Sequence, residues 1–264
     1  MEVIIKDNYD QICEEAVRLI HQKWQVKNDL VLGLATGRSP LGVYARLIEL
    51  NQRGLMDFSR VTTFNLDEYI GLAEDHPQSF SAYMEKNFFR HININRENIH
   101  RLSGTPDDIE RHCRDYEEKI KTAGGIDIQI LGIGRNGHIG FNEPGSSLAS
   151  RTRVKTLTKS TIEANAPGFK NKDEVPRYCL TMGIGTILDS GMLILLASGL
   201  EKNEAIAKTV EGPVTASVPG SALQLHRTAK VIIDHHAASR LQRKDYYLWV
   251  YEHRDKITDF LKKR

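Results

Sequence analysis

Residues 132–145 carry five glycines, Gly132, Gly134, Gly137, Gly140 and Gly145. They follow directly on an apolar run, Ile126-Asp127-Ile128-Gln129-Ile130-Leu131, that alternates like a strand. Glycine fills no core volume and costs backbone entropy, so this density suits neither a helix interior nor a strand. It suits a loop at a strand's end where backbone must approach a ligand closely, which is where open α/β sheets bind their ligands. His138 and Glu143 lie between the glycines, so the loop also carries an imidazole and a carboxylate.

Gly132, Gly134 and Gly137 match the G-x-G-x-x-G dinucleotide fingerprint, but the surroundings do not. That motif needs a helix opening at its glycines and an acidic residue about twenty positions on. Here Gly140, Pro144 and Gly145 follow, which cannot form a first helical turn, and the later region holds Arg151, Arg153 and Lys155. No nicotinamide or flavin cofactor is expected.

The 264 residues suffice for a large buried core without staples, and one domain spanning residues 1–264 is expected. Thirty-six basic against 34 acidic residues leave a net charge of +2, with the signs interspersed. Neither a nucleic-acid stripe nor a polybasic membrane patch is present. Cys13, Cys113 and Cys179 are scattered and form no CxxC, as expected of a reducing compartment. With no apolar leader at Met1 and no run long enough to span a bilayer, a cytoplasmic protein is expected.

Helical spacing covers residues 9–25, and Asp29 to Ala35 reads as a buried strand. Thr36-Gly37-Arg38-Ser39-Pro40 follows, then helical spacing from Leu41 to Asn51, with Pro40 suited to the first helical position. Such a loop offers N–H groups, hydroxyls and a helix dipole to a phosphate, though a plain capped turn would look the same. A strand from Val61 to Leu66 ends in Asp67-Glu68-Tyr69. Neighbouring side chains on extended backbone face opposite ways, so at most one acid enters a given pocket, and both could be solvated. A helix-like segment runs from His76 to Phe89, a short strand from Asn98 to Leu102, and Thr105-Pro106 reads as the start of a helix ending at Gly124-Gly125. Strands at 152–157, 178–182, 192–197 and 230–234 alternate with helices at 159–165 and about 202–210 and with a helical tail from Lys244. Residues 167–177 read as a mobile loop or lid. This order predicts an α/β fold, a mostly parallel sheet flanked by helices on both faces.

Polar groups collect at the strand ends: Thr36 to Ser39, Asp67, then Asn136, His138 and Glu143, and Lys202. A phosphate cradle, carboxylates and an imidazole suit proton transfer on a sugar phosphate. Glu143 can accept from one ring nitrogen of His138 and raise the basicity of the other; alone, His138 would read as a satisfied loop histidine. No G-x-S-x-G elbow supports nucleophilic hydrolysis. No HExxH or comparable spacing supports a metal, and His235-His236 reads as a solvated strand-end pair.

These segments resemble a known family. Residues 34–40 (LATGRSP), 64–69 (FNLDEY), 132–144 (GIGRNGHIGFNEP), 150–153 (SRTR), 180–186 (LTMGIGT), 211–212 and 221–226 (SALQLH) closely resemble glucosamine-6-phosphate deaminases, in order along nearly the whole chain. The resemblance implies a Rossmann-like three-layer sandwich and a cofactor-free reaction: glucosamine 6-phosphate and water give fructose 6-phosphate and ammonia. It implies that His138, supported by Glu143, opens the sugar ring and that Asp67 carries a proton from C2 to C1. Asn136 falls where some members have an aspartate in the ring-opening group, and an amide there is expected to orient His138. Thr36, Gly37, Arg38, Ser39, Gly137 and Lys202 match substrate-binding positions. The family's lid arginine falls near Pro167-Gly168, where this chain has none; Lys170, Lys172 and Arg177 are near in sequence, and either a lysine or Arg38 substitutes or phosphate is held more weakly. Ser146, Arg153 and Lys155 match parts of an effector site for N-acetylglucosamine 6-phosphate, and equally suit a polar strand face. A monomer or homo-oligomer acting on a small-molecule substrate is expected, with no nucleic-acid or membrane partner. A 6-phosphogluconolactonase-like hydrolase and a non-catalytic sugar-phosphate sensor are the rival readings; the first would not need Asp67, and the second would lose the acid–base residues.

Overall fold

Continuous apolar runs such as Met192–Ala197 need cover on both faces, and the chain supplies it by alternating strands with amphipathic helices. The computed structural model describes residues 1–262. The elements are β1 (Glu2–Lys6), α1 (Tyr9–Val26), β2 (Val31–Leu34), α2 (Leu41–Gln52), β3 (Thr62–Asn65), β4 (Asp67–Tyr69), α3 (Phe80–Asn87), β5 (Ile99–His100), α4 (Ile109–Thr122) and β6 (Ile128–Gly132). They continue as β7 (Arg153–Thr156), α5 (Lys159–Asn165), β8 (Tyr178–Thr181), α6 (Ile184–Leu188), β9 (Met192–Ala197), α7 (Asn203–Val210), β10 (Ala229–Asp234) and α8 (Lys244–Lys262).

Seven strands pair in parallel in the order β1-β10-β9-β6-β2-β3-β5. On one face α1, α2 and α3 cover Leu32, Leu34, Ile130 and Leu196. On the other, α4, α6 and α7 cover Phe64, Leu131, Leu195 and Ile233. The result is the three-layer α/β sandwich expected. The order places β6 beside β2 although β3 and β5 intervene in the chain. Connections therefore diverge to opposite sides between β2 and β6, and the C-terminal ends of that pair form the sheet's switch point, where open α/β sheets bind ligands.

A second, antiparallel sheet, β4-β8-β7, stands beside these ends. The strand spacing did not disclose it, because β4 is only Asp67-Glu68-Tyr69 and reads as loop. Other boundaries move for local reasons. Asp108, rather than Thr105, caps α4, its carboxylate accepting the Arg111 N–H at 2.9 Å. Pro40 sits one residue before α2 rather than within it. Two single 3₁₀ turns, Ala166–Gly168 and Lys172–Glu174, fall at and within residues 167–177. The tail helix α8 lies against β1, with Lys6 donating to the Tyr251 hydroxyl at 2.7 Å and Arg254 to Glu15 at 3.3 Å. Among the described residues no helix is long and apolar enough to cross a membrane.

Candidate active site

The loop after β2 is shaped by tyrosines behind it. Tyr83 of α3 donates to the Gly37 carbonyl at 2.6 Å, and Tyr44 of α2 donates to Ala35 at 2.6 Å. The Tyr9 hydroxyl of α1 lies 3.0 Å from the Arg38 carbonyl and 3.1 Å from that of Ser39, while accepting the Gly42 N–H at 2.8 Å. Gly37 has φ 90°, a left-handed conformation that a side chain would strain. Thr36 is half-buried and Arg38 exposed. Ser39 reaches the end of β6: a Cβ added at Gly132 would lie 3.6 Å from its Oγ. The two loops thus meet at the switch point.

In the glycine loop the His138 ring lies over Gly134, where an added Cβ would come within 2.2–2.5 Å of three ring atoms. Gly137 is equally constrained, with φ 86° and Val218 2.7 Å from an added Cβ, and its carbonyl accepts the Gly220 N–H at 2.8 Å. Glu143 is 3% exposed. Its Oε2 accepts from Asn136 Nδ2 at 2.7 Å and faces His138 Nδ1 at 3.4 Å, a long contact of the kind that tightens in substrate complexes. Its Oε1 accepts from Thr158 at 3.2 Å and from Thr161. Burial favours the neutral acid, but the facing His138 and the donors Thr161 and Asn136 outweigh it and hold the carboxyl at about 2. Asn136 therefore bonds the carboxylate rather than the imidazole, and its own carbonyl accepts the His138 backbone N–H at 3.2 Å. Asn136 thus meets His138 in two ways, through the shared Glu143 carboxylate and through the backbone.

The two adjacent acids part as extended backbone requires. Glu68 accepts the N–H groups of Tyr69, Phe80 and Ser81 at 2.8–2.9 Å and so secures the start of α3. Asp67, 7% exposed, turns to the glycine loop, its Oδ2 3.5 Å from where a Gly140 Cβ would stand. Gly140 is two residues from His138. Burial, reinforced by the Glu68 charge, pushes the Asp67 carboxyl up to about 8. Neither acid is solvated.

Lys202, half-buried in the turn after β9, donates to the Ile133 carbonyl at 2.8 Å and so joins the same loop. Burial lowers its ammonium pKa; Glu201 opposes this and Arg135 adds to it. Arg135 is exposed on the loop and escaped the sequence reading, although it stands between Gly134 and Asn136. Thr158 and Thr161 also escaped it, because threonines at a helix start read as caps.

Arg153 and Lys155 fall on β7 and Ser146 in the loop before it, where its N–H bonds the Glu143 carbonyl at 3.0 Å. The Ser146 hydroxyl is buried without a hydrogen-bond partner among the described residues. Arg153 and Lys155 are both half-buried and alternate onto one face of the strand. Lys170 and Arg177 are exposed. Among the described residues no group of three or more His, Cys, Asp or Glu is placed to hold a metal, and His235 faces Asp7 at 3.4 Å.

Residues 6–233 match the model of the family described as glucosamine-6-phosphate isomerases/6-phosphogluconolactonase. The chain belongs to this family. Within the family, a glucosamine-6-phosphate deaminase of Thermoanaerobacter sp. (strain X514) is 52% identical over 245 residues, 93% of this chain and 97% of that one. A solved structure of a monomeric glucosamine-6-phosphate deaminase superposes with a TM-score of 0.88 at 47% identity, covering 90% of this chain and 99% of that one. A 6-phosphogluconolactonase from Leishmania guyanensis superposes with a TM-score of 0.71 at 21% identity, covering 90% and 98%; this likeness is one of fold.

Proposed function

We propose that the chain converts glucosamine 6-phosphate and water to fructose 6-phosphate and ammonia. The observation that carries this reading is the placement of a buried carboxyl, Asp67, beside a glycine loop in which His138 Nδ1 faces the buried Glu143 carboxylate at 3.4 Å. Full-length similarity at about half identity to deaminases supports it.

The chemistry follows from the parts. His138, with Nδ1 toward the anionic Glu143, takes the anomeric hydroxyl proton and opens the ring. Asp67 takes the proton from C2 and returns it at C1, so the C1 aldehyde and C2 amine pass through an enolamine to a C2 imine. Water adds to that imine and ammonia leaves. A carboxyl near 8 is basic enough to accept a carbon-bound proton, and an ammonium-bearing substrate beside it favours its charged form. Shielding from bulk water and a fixed position over adjacent carbons let one group serve both. Thr36, Gly37, Arg38, Ser39 and Gly137 line the loops that meet at the switch point, and Lys202 with Arg135 supplies positive charge for the phosphate. Arg135 is our candidate for the charge that Pro167 cannot provide.

The chain is read as one cytoplasmic domain, and as a monomer like its solved relative. The test is ammonia release from glucosamine 6-phosphate, with and without N-acetylglucosamine 6-phosphate. Release identifies the deaminase; its absence, with hydrolysis of 6-phosphogluconolactone, favours the lactonase reading. A rate that rises with effector assigns Ser146, Arg153 and Lys155 to a regulatory site, and an unchanged rate assigns them to a polar strand face.

A further inference from the structure

Among the described residues, four side chains address the Glu143 carboxylate, and they divide by oxygen. Asn136 and His138, from its own loop, address Oε2; Thr158 and Thr161, from the start of α5, address Oε1. The α5 pair does not share one task. Thr158 caps α5, its Oγ1 accepting the Thr161 N–H at 3.3 Å. The Thr161 hydroxyl is not needed for that cap. It is buried, lies 3.0 Å from Thr158 Oγ1 and donates to Glu143.

A carboxylate can rotate about its last bond, and only the oxygen facing Nδ1 helps the imidazole. A buried donor on the far oxygen removes that freedom. We propose that Thr161 is a positioning residue, its hydroxyl pinning Glu143 Oε1 so that Oε2 faces His138. The same helix places Ile162 against the cluster of Tyr69, Phe141, Leu157 and Cys179, and Tyr69 is two residues from Asp67. Seating α5 thus braces both halves of the proposed site, and the Thr161 hydroxyl is a polar link from the helix to the ring-opening pair.

The kinetic arm of the test rests on the deaminase reading; the titration arm does not. Thr161→Val removes the hydroxyl at nearly constant shape. It is expected to lower kcat roughly tenfold while KM for glucosamine 6-phosphate stays within about twofold, and Thr161→Ser is expected to restore kcat. In ligand-free protein, ¹³C NMR of the glutamate carboxyls from about pH 3 to about pH 6 should show Glu143 ionised throughout in the wild type and in Thr161→Ser. The valine variant should begin to protonate at the acid end. A wild type that releases no ammonia would sink the functional reading, while the titration would still decide the role of Thr161. A valine variant with wild-type kcat and unmoved Glu143 titration overturns the proposal. So does a serine variant as impaired as the valine one, since the methyl group would then be what matters. If the valine variant does not fold, Thr161→Ala is read by the same two measurements.

Discussion

Asp67 is costly to bury and useful once buried. Its carboxyl is pushed up to about 8 by burial, then by Glu68, so the folded state binds a proton that the unfolded chain releases near its ordinary value of 3.8. Stability linked to this group is therefore full below about 3.8 and is lost as pH rises through about 8. Asp67→Asn, which mimics the protonated acid, should raise Tm by roughly 3 °C or more at about pH 9 and leave it near wild type at about pH 4, by calorimetry. For activity the sign reverses, because the base role proposed for Asp67 needs the ionised form: kcat/KM of the wild type should climb with pH and level off above about 8. Glu143 sets no limb in that range, being held near 2. The readable residues were those whose chemistry stands out against glycine, such as His138 and Glu143. Arg135 was hidden because an arginine in a loop reads as solvated. Arg135→Ala should raise KM for glucosamine 6-phosphate roughly three- to tenfold with kcat little changed, by initial-rate kinetics.

At the scale of elements, the strand-end loops are built by exclusion. Gly134 leaves room for the His138 ring, so Gly134→Ala must push the ring aside. It should cut kcat roughly tenfold or more while circular dichroism stays that of the wild type. The helices and the long apolar strands were legible because their periods, 3.6 and 2, survive in the sequence. The small sheet was not: β4 is three residues with two acids, and its pairing with Thr181, Leu180 and Cys179 joins segments more than a hundred positions apart. Likewise α6 spans only Ile184–Leu188, too short for a helical stripe. The Asp108 cap of α4 was misassigned to Thr105 because both types suit a cap and only the accepted N–H decides. Asp108→Ala should therefore cost about 1 kcal/mol in urea unfolding, and Thr105→Ala much less.

At the scale of the molecule, the order of strands makes the site. Layering on both faces follows from the alternation of elements, but which strand neighbours β2 does not. Only the return of the chain to lay β6 against β2 brings Ser39 to Gly132 and opens the switch point. The antiparallel sheet then delivers Asp67 from the side, so the carboxyl and the loop that carries the imidazole come from separate sheets, with Asp67 beside Gly140. Ammonia released from glucosamine 6-phosphate, by the wild type and by Asp67→Asn in parallel, tests this convergence most directly. Steady release by the wild type with a loss of roughly 10²–10⁴-fold in the variant is the expected result. Equal release by both, or none by the wild type, would contradict the role given to Asp67 or the reaction itself.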